Sequence, residues 1–285
     1  MWTLGAALAG QRKQAGGQAG DAVNDGTQSI ERALKVLRML ATRGRLGWGL
    51  TDLAQAAGLK KATVHRILVR LEHERMAHRR ASDAHYFLGP ALADLSFSIP
   101  GFHPFVRAAQ DFLAEMSRRY SLVTILSIRS GDHFVVGARL APARFKGELN
   151  EPGARRPLMT TAGGIAILMS LEAAETSRIV ADNLELLSQR GRTSVEEYRA
   201  MWDRSTVRGY ASNFGDIAPG VNAVAMPVLG QAGQVFASLT LAGGVDHVRI
   251  DGADELAAAL RHECVEIARL AAQIHPGLYA GPCRM

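Results

Sequence analysis

Seven lysine and arginine side chains lie within residues 60–80, in the stretch KKATVHRILVRLEHERMAHRR, against only two carboxylates, Glu72 and Glu74. Such a concentration of positive charge has the chemistry to bind a polyanion. Lys60 and Lys61 stand at the start of a predicted helix. The helix dipole is already positive there, so both lysines are slightly destabilising unless an anion lies beside them. Charge alone leaves two interpretations open, a nucleic-acid interface and a solvated basic face.

Hydrophobic spacing predicts which side of this helix faces outward. Apolar residues recur at positions i, i+3, i+4 and i+7, and we predict that this side is buried. These residues are Val64, Ile67, Leu68 and Leu71. On the opposite side, we expect Arg66 to contact a guanine edge in the major groove and both lysines to contact phosphates. The predicted DNA-binding residues are Lys60, Lys61, Ala62, Thr63, His65, Arg66, Arg70, Arg79 and Arg80. An ordinary surface helix is the alternative.

The elements around this helix have the layout of a winged helix-turn-helix over residues 28–98. A first helix is predicted from Ser29 as its N-cap. The breaker GRLGWG follows it, and then a short helix capped by Thr51 and ended by Gly58. After the basic helix, residues 76–80 and 84–88 read as a hairpin around a polar turn, and Arg79 and Arg80 on it would reach the DNA backbone or the minor groove.

Net charge divides the 285-residue chain. Residues 1–98 hold 14 basic side chains and 8 carboxylates, and the remainder holds 19 of each, so the formal excess of +6 lies entirely in the first third. No apolar run reaches the ~18 residues of a transmembrane helix. The two cysteines, Cys264 and Cys283, are too few for a disulfide framework, which favours a reducing cytoplasm and, with the basic first third, a nucleoid-associated protein.

The rest of the chain predicts an α+β multidomain architecture. Residues 1–27 and 276–285 are expected to be tails, residues 99–104 (IPGFHP) a linker, and residues 105–275 a second domain. Its pattern alternates helices with strands, including two strands around Ser130-Gly131-Asp132, a helical stretch over residues 160–175 and a final helix over residues 253–274. An antiparallel sheet flanked by helices is the expected result.

Thr160 and Thr161 precede Ala162-Gly163-Gly164 at a predicted helix start. Free backbone N–H groups beside hydroxyls suit a carboxylate ligand. An ordinary N-cap, followed by glycines that permit close packing, is the alternative reading of the same residues.

Several segments together resemble the IclR family of bacterial transcriptional regulators. Thr63-Val64-His65-Arg66-Ile67-Leu68 matches the core of that family's recognition helix, and Tyr86-Phe87-Leu88-Gly89 matches the end of its wing. RRPLMTTAGGIAILMS and RGYASNFGDIAPGVNAVAMPVLG resemble the segments that open and close the family's ligand pocket. The resemblance covers residues 28–274. It implies a winged helix-turn-helix and a GAF-like domain that binds an organic acid or aromatic metabolite as effector of a repressor or activator. It also implies dimer contacts through the helix at residues 29–43, and dimers or tetramers.

Carried over residue by residue, the resemblance also implies a ligand pocket. Its lining is Met159, Thr160, Thr161, Ala162, Gly163, Asn213, Asp216, Gly220, Val221, Ala223 and Thr240. The chain departs from the family where Asp216 replaces a frequent glutamate pair and where Ala223 and Ala242 replace a cysteine and a serine. A smaller and less polar lining on that side leaves room for a bulkier, aromatic ligand.

Two other classes of protein compete with a regulator. An enzyme is disfavoured because the chain lacks a nucleophile elbow, a P-loop, a dinucleotide fingerprint and a zinc-protease motif. A metal site using His103, His133 or His247 stays open, and Cys264 lies in an apolar helical pattern typical of a core residue. A nonspecific nucleoid-binding protein would account for the basic third but not for the neutral remainder. We therefore expect a non-enzymatic regulator without a cofactor that binds an operator in double-stranded DNA and a small-molecule effector, and no membrane.

Overall fold

The computed structural model describes residues 27–143, 145, 151–188 and 195–274. Its first part contains α1 (Gln28–Leu40), a 3-10 turn (Gly44–Leu46), α2 (Leu50–Ala57), α3 (Lys61–His73), β1 (Ala77–Arg79) and β2 (Tyr86–Leu88). Strands β1 and β2 are antiparallel, and an isolated bridge joins Trp48 to Tyr86. The predicted winged helix-turn-helix is confirmed.

The first two helices begin at different residues from those predicted. Thr27 occupies the N-cap position of α1, so Ser29 lies inside the helix. Gly49 has the extended backbone of an N-cap residue before α2, which makes Thr51 the second residue of that helix and not its cap. The predicted end is correct, because Gly58 adopts the left-handed conformation with φ 64° that closes a helix.

The expected linker at residues 99–104 is partly helical. After α4 (Ala91–Phe97), which the sequence analysis did not predict, α5 runs over Phe102–Tyr120. Phe102, His103 and Pro104 therefore form the first turn of α5, with Gly101 as the N-cap. Proline is compatible with the first turn of a helix because the N–H groups there have no intrahelical partner, so Pro104 does not interrupt it.

The second part is a six-stranded sheet with helices on both sides. Its elements are β3 (Val123–Ser130), β4 (His133–Leu140), β5 (Arg155–Pro157), a 3-10 turn (Leu158–Thr160), α6 (Ala162–Leu168), α7 (Ala173–Ser188), α8 (Val195–Arg208), β6 (Ala211–Phe214), β7 (Val221–Leu229), β8 (Val235–Gly244) and α9 (Ala253–Ile274). The strand order is β5-β4-β3-β8-β7-β6, with every neighbouring pair antiparallel. The α+β prediction and the final helix are confirmed. The helix expected over residues 160–175 is instead divided between α6 and α7. Strand β5, which precedes α6, was not predicted.

Alternating side chains give the sheet two buried sides. Leu126, Leu239 and Leu241 pack against α5 and α9. Ile125, Ala225 and Ala242 pack on the other side, against α6, α7 and α8. We call this second side the α6 face. By the same alternation, Ser127, Ser238, Thr240 and Asn213 also belong to the α6 face. None of the helices in the described ranges is long and apolar enough to cross a membrane.

Candidate nucleic-acid interface and small-molecule site

Helix α3 buries the side that the hydrophobic spacing predicts. Val64, Leu68 and Leu71 are buried in the small N-terminal core, and Ile67 packs partly against it. Among the predicted DNA contacts on this helix and at its start, Thr63 is half-buried, and the exposed ones are Lys60, Lys61, Ala62, His65, Arg66 and Arg70. The basic surface therefore faces solvent around the N-terminal half of α3, which is the part of a recognition helix that enters the major groove.

The arginines of this surface differ in whether their guanidinium groups already bind another residue of the protein. Arg70 forms an ion pair with Glu74, with 2.5 Å between Nη2 and Oε1. Arg79 donates from Nε to the carbonyl of Ala84 over 3.4 Å. Arg66 has no ion pair or side-chain hydrogen bond with any residue in the described part of the chain. Arg66 is thus able to contact a base edge without first giving up an internal partner.

Arg80, at the tip of the wing, is neutralised within the wing. Its guanidinium binds both carboxylate oxygens of Asp83, at 2.9 Å and 2.5 Å, and lies 4.5 Å from the ring centroid of Phe87. The bond from Arg80 holds the pKa of Asp83 well below its usual range, so Asp83 is an anion at neutral pH. The sequence analysis missed this pairing, although two opposite charges three residues apart in a predicted turn were a signal for it.

Two further basic residues lie beside the wing, and the sequence analysis left both out because it interpreted GRLGWG only as a breaker. The bridge between Trp48 and Tyr86 brings this segment next to the hairpin. Arg80 Nη1 lies 3.5 Å from the carbonyl oxygen of Arg45, and the guanidinium of Arg43 lies 3.7 Å from the ring centroid of Trp48. The basic surface is therefore wider than α3 and the hairpin alone.

Most of the predicted ligand-pocket residues lie against the α6 face. The members that are buried there are Met159, Thr160, Ala162, Gly163, Asn213, Ala223 and Thr240. Ala223 and Ala242 are opposite each other on β7 and β8. Two serines that the sequence analysis left out, Ser127 and Ser238, share this face, so the lining is more polar than the two alanines suggested. Alternation along β3 and β8 was the available signal for both.

The two threonines before α6 use their hydroxyls within the protein. Thr161 accepts a hydrogen bond from the backbone N–H of Gly164 over 3.1 Å, as an N-cap. Thr160 donates to the carbonyl of Pro157 over 2.7 Å. A Cβ at Gly164 would lie 2.0 Å from the carbonyl oxygen of Leu158, so this glycine permits close packing. For Thr161 and Gly164 the geometry matches the alternative of an ordinary N-cap followed by close-packed glycines.

The remaining predicted pocket residues lie at the end of the sheet. Asp216 forms an ion pair with Arg204 and accepts the backbone N–H of Phe214 at 2.8 Å. Val221 is half-buried, and Gly220 is exposed and borders an open groove of about 770 Å³. The charged side chains of that groove bind one another or neighbouring groups, as Arg249 does with Asp251. The buried hydroxyls of the α6 face make it the better candidate for recognising a ligand.

The surroundings of the residues considered for metal binding or covalent chemistry bear on those two possibilities. No group of three or more His, Cys, Asp or Glu side chains within the described ranges is placed to hold a metal ion. His103 stacks on Phe97 at a centroid distance of 4.1 Å, and its Nε2 lies 3.0 Å from Ser96 Oγ. Burial raises the pKa of the Cys264 thiol to about 12, which is opposite to what a nucleophile needs.

The first part of the chain is a winged helix-turn-helix with a basic outward surface, which defines a DNA-binding protein. The helix-flanked antiparallel sheet that follows it is a second domain, whose buried hydroxyls suit it to ligand recognition. Two family descriptions match the chain: "IclR helix-turn-helix domain" over residues 29–81 and "Bacterial transcriptional regulator IclR C-terminal" over residues 102–269. The chain belongs to the IclR family of bacterial transcriptional regulators and is a DNA-binding transcriptional regulator.

The match to individual relatives covers nearly the whole length of each relative. The glycerol operon regulatory protein of Streptomyces griseus is 26% identical over 244 residues, which are 85% of this chain and 95% of the relative. The solved IclR regulator of Alicyclobacillus acidocaldarius has a TM-score of 0.64 at 22% identity, covering 85% of this chain and 98% of its own. An IclR homologue of Microbacterium hydrocarbonoxydans, solved with 4-hydroxybenzoate, has a TM-score of 0.63 at 18% identity, covering 86% and 99%. These two structural likenesses support the fold.

Proposed function

We propose that this regulator binds a specific operator in double-stranded DNA and that a small molecule bound at the α6 face changes its affinity for that operator. The observation that carries the DNA-binding part is the exposed N-terminal half of α3, where Arg66 has no internal partner in the described chain and Lys60 and Lys61 flank the helix start. Phosphate contacts by the lysines would position the helix, and base contacts by Arg66 would supply specificity.

The ligand part rests on the chemistry of the α6 face and on two similar proteins. The face combines apolar lining, such as Ile125 and Ala225, with a few buried polar groups, which is the usual composition of a small-molecule site. One relative is named for a glycerol operon, and one structural neighbour was solved with 4-hydroxybenzoate. Both names direct the choice of test compounds to small molecules that carry hydroxyl groups.

We also propose a homodimer or homotetramer, since two-fold dimers match the near-palindromic sites of helix-turn-helix proteins. Helix α1 leaves Ile30 and Leu34 61% and 45% exposed, one turn apart on the same side, as a dimer contact would require. A ligand that favours one arrangement of the paired second domains would change the spacing of the two recognition helices. It must bind the two arrangements with different affinity, because equal binding shifts no equilibrium.

The cytoplasm, where a bacterial chromosome lies, is the proposed location, and we propose no enzymatic activity.

The test of DNA recognition is a titration of the purified protein onto fluorescent DNA from upstream of its own gene and onto scrambled DNA, at several salt concentrations. We expect a preference of about a thousandfold or more for one natural fragment. Glycerol and 4-hydroxybenzoate are then added to the complex, and at least one should change the affinity. Salt-sensitive binding without any preference, across tiled upstream fragments, would instead favour the nonspecific nucleoid-binding protein.

A further inference from the structure

Three hydroxyl groups converge beneath helix α6. Taking the position that a Cβ on Gly163 would occupy, Thr240 Oγ1 lies 2.8 Å away, Ser238 Oγ 3.1 Å and Ser127 Oγ 3.2 Å. Ser127 and Ser238 are directly opposite each other on β3 and β8, and Thr240 is the next residue of β8 on the same face. All three residues are less than 9% exposed. We call these three side chains the hydroxyl patch.

The central hydroxyl of the patch has no partner within the protein. Ser238 is 0% exposed, and its Oγ forms no hydrogen bond with any group in the described part of the chain. Burying a hydroxyl without a hydrogen bond is unfavourable, whereas an alanine at the same position would pack without that penalty. A buried polar group of this kind needs an explanation, and a ligand that supplies the missing bond is one.

Gly163 of α6, a residue without a side chain, lies against the patch. A Cβ at this position would crowd all three hydroxyls and would come within 2.8 Å of Thr240 Oγ1. A ligand atom therefore reaches the patch only when α6 moves away from β8 at this point. The contact at this point is between a glycine and neutral hydroxyls, so no side chain of α6 has to leave the patch itself. The rest of α6 is buried, so ligand binding must offset any packing lost when the helix moves.

The charges of the α6 face are not part of the patch. Arg129 on β3 is paired with Glu175 of α7, and Arg204 is paired with Asp216. Arg139 is opposite Ile125 on β4, which places it two strands away from Thr240. Among the described residues, a carboxylate buried against the patch would therefore have hydroxyls but no formal positive charge directly beside it, which is costly, whereas an uncharged hydroxyl would be satisfied there.

We propose that the hydroxyl patch recognises an alcohol or phenol group of the effector, with Ser238 as a specificity-determining residue. This inference rests on the proposed effector site and deepens it. A site that hydrogen-bonds a ligand hydroxyl rejects the analogue that lacks this hydroxyl, because its own buried polar groups then remain unpaired. The bound hydroxyl both donates a hydrogen bond to the patch and accepts one from it. Its insertion moves Gly163, and with it the start of α6, away from β8.

The test compares ligand pairs that differ by one hydroxyl, 4-hydroxybenzoate with benzoate and glycerol with propane-1,2-diol. Dissociation constants of the full chain and of Ser238→Ala are measured by calorimetry. For at least one pair we expect the full chain to prefer the hydroxylated member by about tenfold or more, and the variant to lose most of that preference. Binding with the same discrimination in the variant, or with none in the full chain, would overturn the inference and leave the proposed function intact.

A second measurement needs no ligand. Because Ser238 has no partner to lose, we expect Ser238→Ala to leave the thermal unfolding midpoint unchanged or to raise it. Ser117→Ala is the matched control on the opposite side of the sheet, since the buried Ser117 hydroxyl donates to the carbonyl of Leu122 over 2.9 Å, and its loss should lower the midpoint. An equal decrease in both variants would mean that Ser238 has a structural partner, which contradicts the inference. If none of the four compounds binds or alters DNA binding, the proposed response to such effectors fails as well.

Discussion

Replacing Arg66 by alanine should separate base recognition from general attraction to DNA. Arg66 is exposed on α3 and has no internal partner in the described chain, so its removal breaks no contact in the free protein. Loss of one good bidentate contact to a guanine costs about 1–3 kcal/mol, which corresponds to a decrease in operator affinity of about 5- to 160-fold. The loss should be smaller on scrambled DNA, where only the positive charge of Arg66 contributes.

Two companion variants make the prediction sharper. Arg66→Lys keeps the positive charge but lacks the planar fork that binds two acceptors, so it should recover binding to scrambled DNA and not specificity. Arg70→Ala removes an arginine one turn further along α3 whose guanidinium is already paired with Glu74 at 2.5 Å. It should cost less operator affinity than Arg66→Ala, because that side chain is partly neutralised and lies further from the end that enters the groove.

The assay is fluorescence anisotropy on the operator fragment and on a scrambled fragment of equal length, at three salt concentrations. Thermal unfolding of each variant serves as a control, and we expect no decrease in the midpoint for either Arg66 variant. The reasoning would be refuted by an equal loss on both fragments, by full recovery of specificity in Arg66→Lys, or by a larger loss in Arg70→Ala than in Arg66→Ala.

Three further predictions concern other parts of the chain. Lys61→Ala should weaken binding to every DNA alike and reduce the slope of log affinity against log salt by about 0.9, and an unchanged slope would exclude a phosphate contact. Gly164→Ala should destabilise the second domain by about 1–3 kcal/mol, because its Cβ would lie 2.0 Å from the Leu158 carbonyl oxygen; denaturant titration showing a wild-type midpoint would contradict this packing. Burial raises the pKa of Cys264 to about 12, so the thiolate becomes abundant only above that pH. In a Cys283→Ser background, a disulfide reagent at pH 8 should label Cys264 only after denaturation, and rapid labelling of the native protein would be the opposite result.

The faces of individual elements could be predicted from the sequence because they depend on local periodicity. Spacing alone placed Val64, Leu68 and Leu71 in the core and Arg66 outside it, since a helix repeats every 3.6 residues regardless of what it packs against. The last helix, α9 (Ala253–Ile274), was predicted with its observed bounds for the same reason. Boundaries that depend on caps were less accurate, as Thr51 and the start of α5 show, because several neighbouring residues can serve as the N-cap.

Contacts between distant segments were decided only by the tertiary structure. Ser127 and Ser238 are 111 positions apart, and the register of β3 against β8 brings them together under Gly163. Alternation along each strand assigns both serines to a face of the sheet, but neither local sequence shows that the two side chains meet, because strand pairing and register are set between distant segments. The charge pattern also counted Arg66, Arg70 and Arg80 alike. Sequence spacing makes the local pairs Arg70–Glu74 and Arg80–Asp83 possible, but only the structure shows that both form and that Arg66 has no internal partner in the described chain, since rotamer and turn geometry determine which opposite charges meet.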